Sequence, residues 1–349
     1  MSPKLVIGAN GFLGSHVTRQ LVAAGHQVRV MVRENAGTVS IDDLDVQRFV
    51  GDIWDDDTLG AAMAGCDDVY YCVVDARGWL RDPAPLFHTN VEGTRNVLDV
   101  ALDVQKRGSL HRFVYTSSYV TVGRRRDRTA SETDIIDDRG LTPYVRSRVQ
   151  AEELVLRYAR EQNLPAIAMC VSTTYGSGDW GRTPHGAIIA GAAFGKLPFV
   201  MAGIELEAVG IDDAARAMIL AAEYGRVGER YLISEKMISN AEVARIAAEA
   251  AGVAPPAKTI PLAMSYALAT AGTVKATLKR TDERLSLGSL RLMRAEGPLD
   301  HGKAVRELGW HPRPVEEAIA EAARFWVGLR AQKMQAEKRT REQAQTAPE

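Results

Sequence analysis

Gly8, Gly11 and Gly14 stand three residues apart, directly after the apolar run KLVIG and directly before an amphipathic stretch at 15–24. A glycine-rich turn between a strand and a helix lets backbone N–H groups approach a pyrophosphate, and the helix N-terminus adds positive potential there. The third glycine lets the helix pack close to the strand. Asn10, Phe12 and Leu13 share this turn, so the whole segment 8–14 reads as a dinucleotide-binding loop. The end of the following apolar run selects the dinucleotide. An acid there would take the ribose hydroxyls of NAD. Here the run ends in Val32-Arg33, with Glu34 past the expected position. A guanidinium pairs with a 2′-phosphate and stacks on adenine, which favours NADP(H) over NAD(H). Asp52, in Gly51-Asp52-Ile53, is placed to accept from the adenine amine; capping the next helix is its structural alternative.

These residues need a scaffold, and the first half of the chain supplies one. Apolar runs at 28–32, 46–49, 68–74, 112–116 and 166–171 alternate with helical patterns at 57–64, 90–106 and 144–161. Such alternation implies an α/β fold, a Rossmann-type doubly wound parallel sheet covered on both faces. After residue 178 the rhythm changes. A small-residue helix at 185–194 precedes short strands at 205–210 and 229–233, which flank a helix at 212–224. Helical patterns then dominate, at 240–251, 261–278, 298–308 and 315–329. The expected division is a dinucleotide-binding domain over 1–178, to which 205–235 returns. A smaller, mainly helical substrate lobe takes 179–204 and 236–330, and 331–349 forms a flexible polar tail.

Composition narrows the class of protein. The 349 residues carry 43 Lys plus Arg against 44 Asp plus Glu, a net charge of −1, which disfavours nucleic acid as a partner. Cys66, Cys72 and Cys170 fit neither a zinc site nor a disulfide framework, and the seven histidines show no metal-ligand spacing. No signal peptide or membrane-length apolar run stands out, so a soluble cytoplasmic protein without a metal is expected.

A series of motifs extends the reading. The 8–14 turn, Gly51-Asp52, Asn90-Val-Glu-Gly-Thr94, Thr116-Ser-Ser118 with Gly123, and Tyr144-x-x-x-Arg148 follow in the order of the extended short-chain dehydrogenase/reductases. The chain resembles this family, also called the NAD-dependent epimerase/dehydratase superfamily. Its flavour is nearest the 3β-hydroxysteroid dehydrogenase and dihydroflavonol reductase branch. The resemblance covers about 4–328 and enters the lobe through Val209-Gly-Ile-Asp-Asp213, 228–233 and 303–309. It implies that Tyr144 is the catalytic acid or base and that Ser118, five residues before Gly123, polarises the substrate oxygen. It also implies that Asn90 orders a water, unless Asn90 merely caps its helix. Thr116, Thr173 and Thr174 become cofactor contacts.

The chemistry fits the residue types. Hydride transfer to a carbonyl leaves negative charge on oxygen, which a phenol and a neighbouring hydroxyl stabilise. Residues 144 and 148 share a helix face, so Arg148 can supply the cation that tyrosine needs to ionise. Arginine replaces the family's lysine. It keeps the charge and can hydrogen-bond a ribose, but it cannot relay a proton. Val73 and Val74 replace a small pair and Tyr71 a histidine, crowding the cofactor's edge.

Candidate pocket walls are Trp79, Leu80, Tyr119, Trp180 and Phe199. The apolar helix at 261–278 could line a lipophilic pocket, lie on a membrane surface, or form the core of the lobe. The basic run at 124–128 could greet an anionic substrate tail or remain a solvated loop. The resulting expectation is an NADP(H)-dependent oxidoreductase, monomer or homodimer, interconverting ketone or aldehyde and alcohol on a lipophilic small molecule. A sugar-nucleotide epimerase or dehydratase is one alternative, and a cofactor-binding sensor with weakened catalysis is another.

Overall fold

The computed structural model describes residues 2–346 apart from 109, 125, 126, 138 and 294–296. The first half runs β1 (Lys4–Ile7), α1 (Phe12–Ala23), β2 (Val28–Val32), β3 (Gln47–Val50), α2 (Asp56–Met63), β4 (Asp68–Tyr71), α3 (Ala84–Phe87), α4 (Gly93–Lys106), β5 (Arg112–Ser118), α5 (Pro143–Gln162) and β6 (Ala166–Val171). It continues through β7 (Thr173–Tyr175), α6 (Pro184–Ala193), β8 (Val200–Met201), β9 (Glu205–Gly210), α7 (Ile211–Tyr224) and β10 (Arg230–Ile233). The remainder is β11 (Lys236–Ser239), α8 (Asn240–Ala250), β12 (Thr259–Ile260), α9 (Leu262–Lys279), α10 (Leu287–Met293), α11 (Gly302–Leu308) and α12 (Val315–Thr346).

Seven strands pair in the order β10-β6-β5-β4-β1-β2-β3, all parallel. β4 and β6 are buried along their whole length, as strands covered on both faces must be. On one face Val6, Val30 and Val114 meet Met218 of α7 and Trp310; on the other Leu5, Ile7 and Phe113 meet Val97 of α4 and Leu154 of α5. The strand order reverses between β1 and β4, which opens a crevice beyond their C-terminal ends. Ile7 lies opposite both Met31 and Tyr71, Tyr71 opposite Tyr115, and Ser118 opposite Val171, so the ends of β1, β2, β4, β5 and β6 all deliver residues to this edge.

A second core joins α6, α8 and α12 through Ile189, Val243, Ile319 and Trp326. α1 reaches that half of the chain through His16. Its Nδ1 is 2.6 Å from Asp212 at the start of α7, and its Nε2 is 3.0 Å from the Ser177 carbonyl.

Three segments differ from the sequence reading. A π-helical turn, His88–Glu92, precedes α4, so Asn90 lies outside the regular helix. α12 continues to Thr346 through the polar stretch taken as a tail; its Lys, Arg, Glu, Gln and Ala residues are good helix formers. α9 is not a core helix, for only Ser265 and Ala269 are buried on it and Leu278 is 79% exposed. Among the described residues, no helix is long and apolar enough to cross a membrane.

The contact of α1 with β1 has no slack. A Cβ on Gly14 would lie 2.2 Å from the Gly8 carbonyl oxygen, whereas one on Gly11 would meet nothing closer than 3.3 Å. Gly14→Ala is therefore expected to destabilise the fold by roughly 1–3 kcal/mol or more, and Gly11→Ala by clearly less, as read from urea denaturation midpoints.

Candidate active site

The glycine turn fits a dinucleotide pyrophosphate. Gly8 adopts φ +83°, and the Gly11 N–H donates to its carbonyl at 3.0 Å, which folds the turn back on β1. α1 starts at Phe12 with no side-chain cap and no acid in its first turn, so its leading N–H groups remain available for an anion. Asn10 braces the turn: its Nδ2 donates to the Gly37 carbonyl at 3.3 Å, and its own carbonyl accepts from Ser40 Oγ at 3.1 Å. Arg33 is exposed just past β2, and no ion pair engages its guanidinium among the described residues. Asp52 is not the cap of α2. That role belongs to Asp55, which accepts from the Thr58 N–H at 3.0 Å and leaves Asp52 half-buried at the end of β3. Ile53 is buried beside Gly93 at the start of α4.

Strand alternation separates the two serines of β5. Ser117 points into the protein and donates to Glu152; Ser118 is half-buried, and its Oγ accepts from the Val120 N–H at 3.4 Å. Tyr144 packs against the cluster that contains Tyr119 and Val120, immediately beyond Ser118. Asn90 is fully engaged. Its Oδ1 accepts from the Asp75 N–H at 2.8 Å, while Nδ2 donates to the Asp75 carbonyl and to Ser147 Oγ, each at 3.0 Å. It thus pins the segment after β4 onto α5, and it does not cap α4.

Arg148 is 1% exposed, so its guanidinium lies behind the wall of the crevice. Nη2 donates to the Thr116 carbonyl, and the guanidinium carbon sits 5.4 Å from the centre of the Tyr115 ring. Among the described residues its Nε and Nη1 have no hydrogen-bond partner, and the buried hydroxyls of Tyr71 and Tyr115 lie near that of Thr94. Burial pushes the Tyr115 phenol up to about 12 against the pull of Arg148, and raises Tyr71 as well. Desolvation works against the Arg148 cation, but Tyr115, Tyr144 and the Glu152 carboxylate outweigh it and hold its pKa above the ordinary value. Glu152, one turn beyond, also accepts from Thr121 Oγ1 at 2.8 Å, Cys170 Sγ at 3.1 Å and Arg230 Nη1 at 2.8 Å.

At the edge of the crevice the Thr116 hydroxyl donates to Cys72 Sγ at 3.5 Å, and burial pushes that thiol up to about 12. Val73 faces Gly8 closely, while Val74 is exposed. Thr173 is buried and Thr174 half-buried on β7. Of the pocket candidates, the structure brings Tyr119 to Tyr144. Trp79 lies under Arg284, and Leu80 is half-buried beside it in a loop tied by the Arg81 N–H to Asp282. Trp180 rests edge-on against Phe325 of α12, 5.0 Å between centres, and Phe199 is half-buried next to β8. Tyr71, expected at the cofactor's edge, lies instead around Arg148, and Glu152, Arg230 and Tyr115 have no place in the sequence reading of the site. One signal was available: Tyr144, Arg148 and Glu152 recur every four residues, which forms a polar stripe on a helix. Among the described residues, no group of three His, Cys, Asp or Glu could hold a metal.

Neutralising Glu152 would leave Arg230 without its carboxylate partner and remove the negative charge that steadies buried Arg148. Glu152→Gln is expected to cost about 3–5 kcal/mol of stability, measured by denaturant unfolding.

Comparison with known proteins agrees with this geometry. The sequence profile of the NAD dependent epimerase/dehydratase family matches residues 4–234. The chain is 27% identical over 326 residues to sterol demethylase protein B of Methylococcus capsulatus, spanning 92% of this chain and 97% of that one. It is 30% identical over 244 residues to a 2-alkyl-3-oxoalkanoate reductase of Stenotrophomonas maltophilia, spanning 68% and 70%. The crystal structure of gox2253 superposes with a TM-score of 0.82 at 33% identity, over 94% of this chain and 98% of that one. With a seven-stranded doubly wound sheet and a glycine turn at its point of reversal, the chain belongs to the NAD-dependent epimerase/dehydratase family of extended short-chain dehydrogenase/reductases.

Proposed function

We propose that this oxidoreductase interconverts a ketone or aldehyde and the corresponding alcohol on a largely apolar small molecule, with NADP(H) as its cofactor. One observation carries the reading: a buried cation, Arg148, lies one helical turn from a half-buried tyrosine, at the strand edge that also presents the glycine turn. The residues of the turn fit the pyrophosphate, and Arg33, exposed and without an ion pair among the described residues, can meet a 2′-phosphate. When bound, the nicotinamide supplies or accepts the hydride. Ser118 donates a hydrogen bond to the substrate oxygen, and Tyr144 delivers the proton to that oxygen or removes it. Arg148 favours the ionised phenol through its charge, and the Thr116 carbonyl and the Tyr115 ring hold it in place. At 1% exposure Arg148 must turn its side chain before it can touch a bound ribose. Asn90 keeps α5, and so Tyr144, in register with β4. The apolar cluster beside Tyr144 suits a lipophilic substrate, and both named relatives support that class.

Two measurements test the assignment. NADPH is expected to bind at least about ten-fold more tightly than NADH, and Arg33→Ala to erase the difference; equal affinities in the parent protein overturn the cofactor preference. Tyr144→Phe is expected to lower kcat for an apolar ketone by about 10²–10⁴-fold while NADPH affinity stays within about two-fold.

A further inference from the structure

A cavity of about 360 Å³ opens beside the proposed site. Its apolar lining includes Val120 and Val122, just beyond Ser118, and Val145, the neighbour of Tyr144. Three arginines, Arg124, Arg139 and Arg291, reach it together with a single carboxylate, Asp137. Asp137 is already taken, because Arg139 Nη2 donates to it at 2.6 Å. Among the described residues, Arg124 and Arg291 enter no ion pair. Of the rest of the basic run at 124–128, Arg128 pairs with Asp134, and Arg125 and Arg126 lie outside the described residues.

Arg124 is held in an unusual way. Its guanidinium carbon lies 4.8 Å from the centre of the Tyr119 ring, a cation–π contact that fixes direction without neutralising charge. Its Nη1 is buried and has no hydrogen-bond partner among the described residues. The buried carboxylate that feels its charge, Glu207, is occupied by Ser234 Oγ and by the Leu299 N–H at 2.9 Å. A buried guanidinium N–H without an acceptor is unfavourable unless a ligand brings one. Two guanidinium groups with no ion pair among the described residues, over an apolar floor, match an anion with a hydrocarbon body.

We propose that Arg124 and Arg291 bind the anionic head, carboxylate or phosphate, of an amphiphilic substrate. Its apolar part lies on Val120, Val122 and Val145, and its reacting carbon reaches Ser118 and Tyr144. The placement of the reacting end rests on the function proposed above; the anion site does not. Binding of octanoate, octyl phosphate and 1-octanol to the NADPH-saturated protein, measured by calorimetry, tests it. At least one of the two anions is expected to bind about ten-fold or more tightly than the alcohol, and the tighter one identifies the head group. Arg124→Gln and Arg291→Gln should each remove that advantage with NADPH affinity retained; Arg291 is exposed on α10, so its variant is a safe second case should the Arg124 variant fold poorly. Octanol binding as tightly as both anions, or an anion advantage surviving in both variants, overturns the proposal. Arginine-dependent anion binding without reduction of any ketone would leave the anion site standing and defeat the oxidoreductase reading instead.

Discussion

The carboxylate of Glu152 on α5 pairs with half-buried Arg230 of β10 at 2.8 Å, and its charge also steadies the fully buried guanidinium of Arg148. Charges leave water at a cost of several kcal/mol each, of the order that only close pairing and saturated hydrogen bonds offset. Glu152 meets that condition with donors from Ser117, Thr121 and Cys170 as well as Arg230. Arg230 in turn donates to the carbonyls of Glu132 at 2.7 Å and Asp134 at 3.1 Å. The network therefore stitches α5 to β5, β6 and β10, and to the loop ahead of α5. That ties Tyr144, on the helix that carries Glu152, to Ser118, the neighbour of its partner Ser117.

The C-terminal portion is bound to the cofactor half by a second polar junction. Asp212 takes His16 from α1, and Arg313 lies 3.6 Å from Asp212 and 3.4 Å from Asp213. Buried Trp310 adds a hydrogen bond from its indole to the Asp213 carbonyl at 2.8 Å. The first turn of α7 is thus where the helix behind the glycine turn and the segment leading into α12 meet.

Much of this was legible from residue order. β2 and β6 follow their apolar runs to the residue, because a covered parallel strand writes its burial into consecutive positions. The glycine turn was legible because its sterics are local. What escaped depends on distant partners. Asn90 looks like a cap in sequence, yet its hydrogen bonds go to Asp75 and to Ser147, 57 residues away. Nothing near Arg148 in the chain announces that Tyr71 and Tyr115 will enclose it, for those neighbours arise only from the pairing of β4 with β5. The apolar pattern of α9 suggested burial, but periodicity cannot say whether a partner face exists, and most of that face is exposed.

The contrast between Gly14 and Arg33 has an evolutionary consequence. At Gly14 even a single methyl group collides with backbone, so descendants of this sequence have almost no freedom there. Arg33 is exposed and enters no ion pair among the described residues, so exchanging it leaves folding energy nearly untouched. With Arg33 as the proposed selector, retention of a dinucleotide and choice between dinucleotides fall under separate control. The first is locked by geometry, and the second is open to drift or to redesign by one surface substitution.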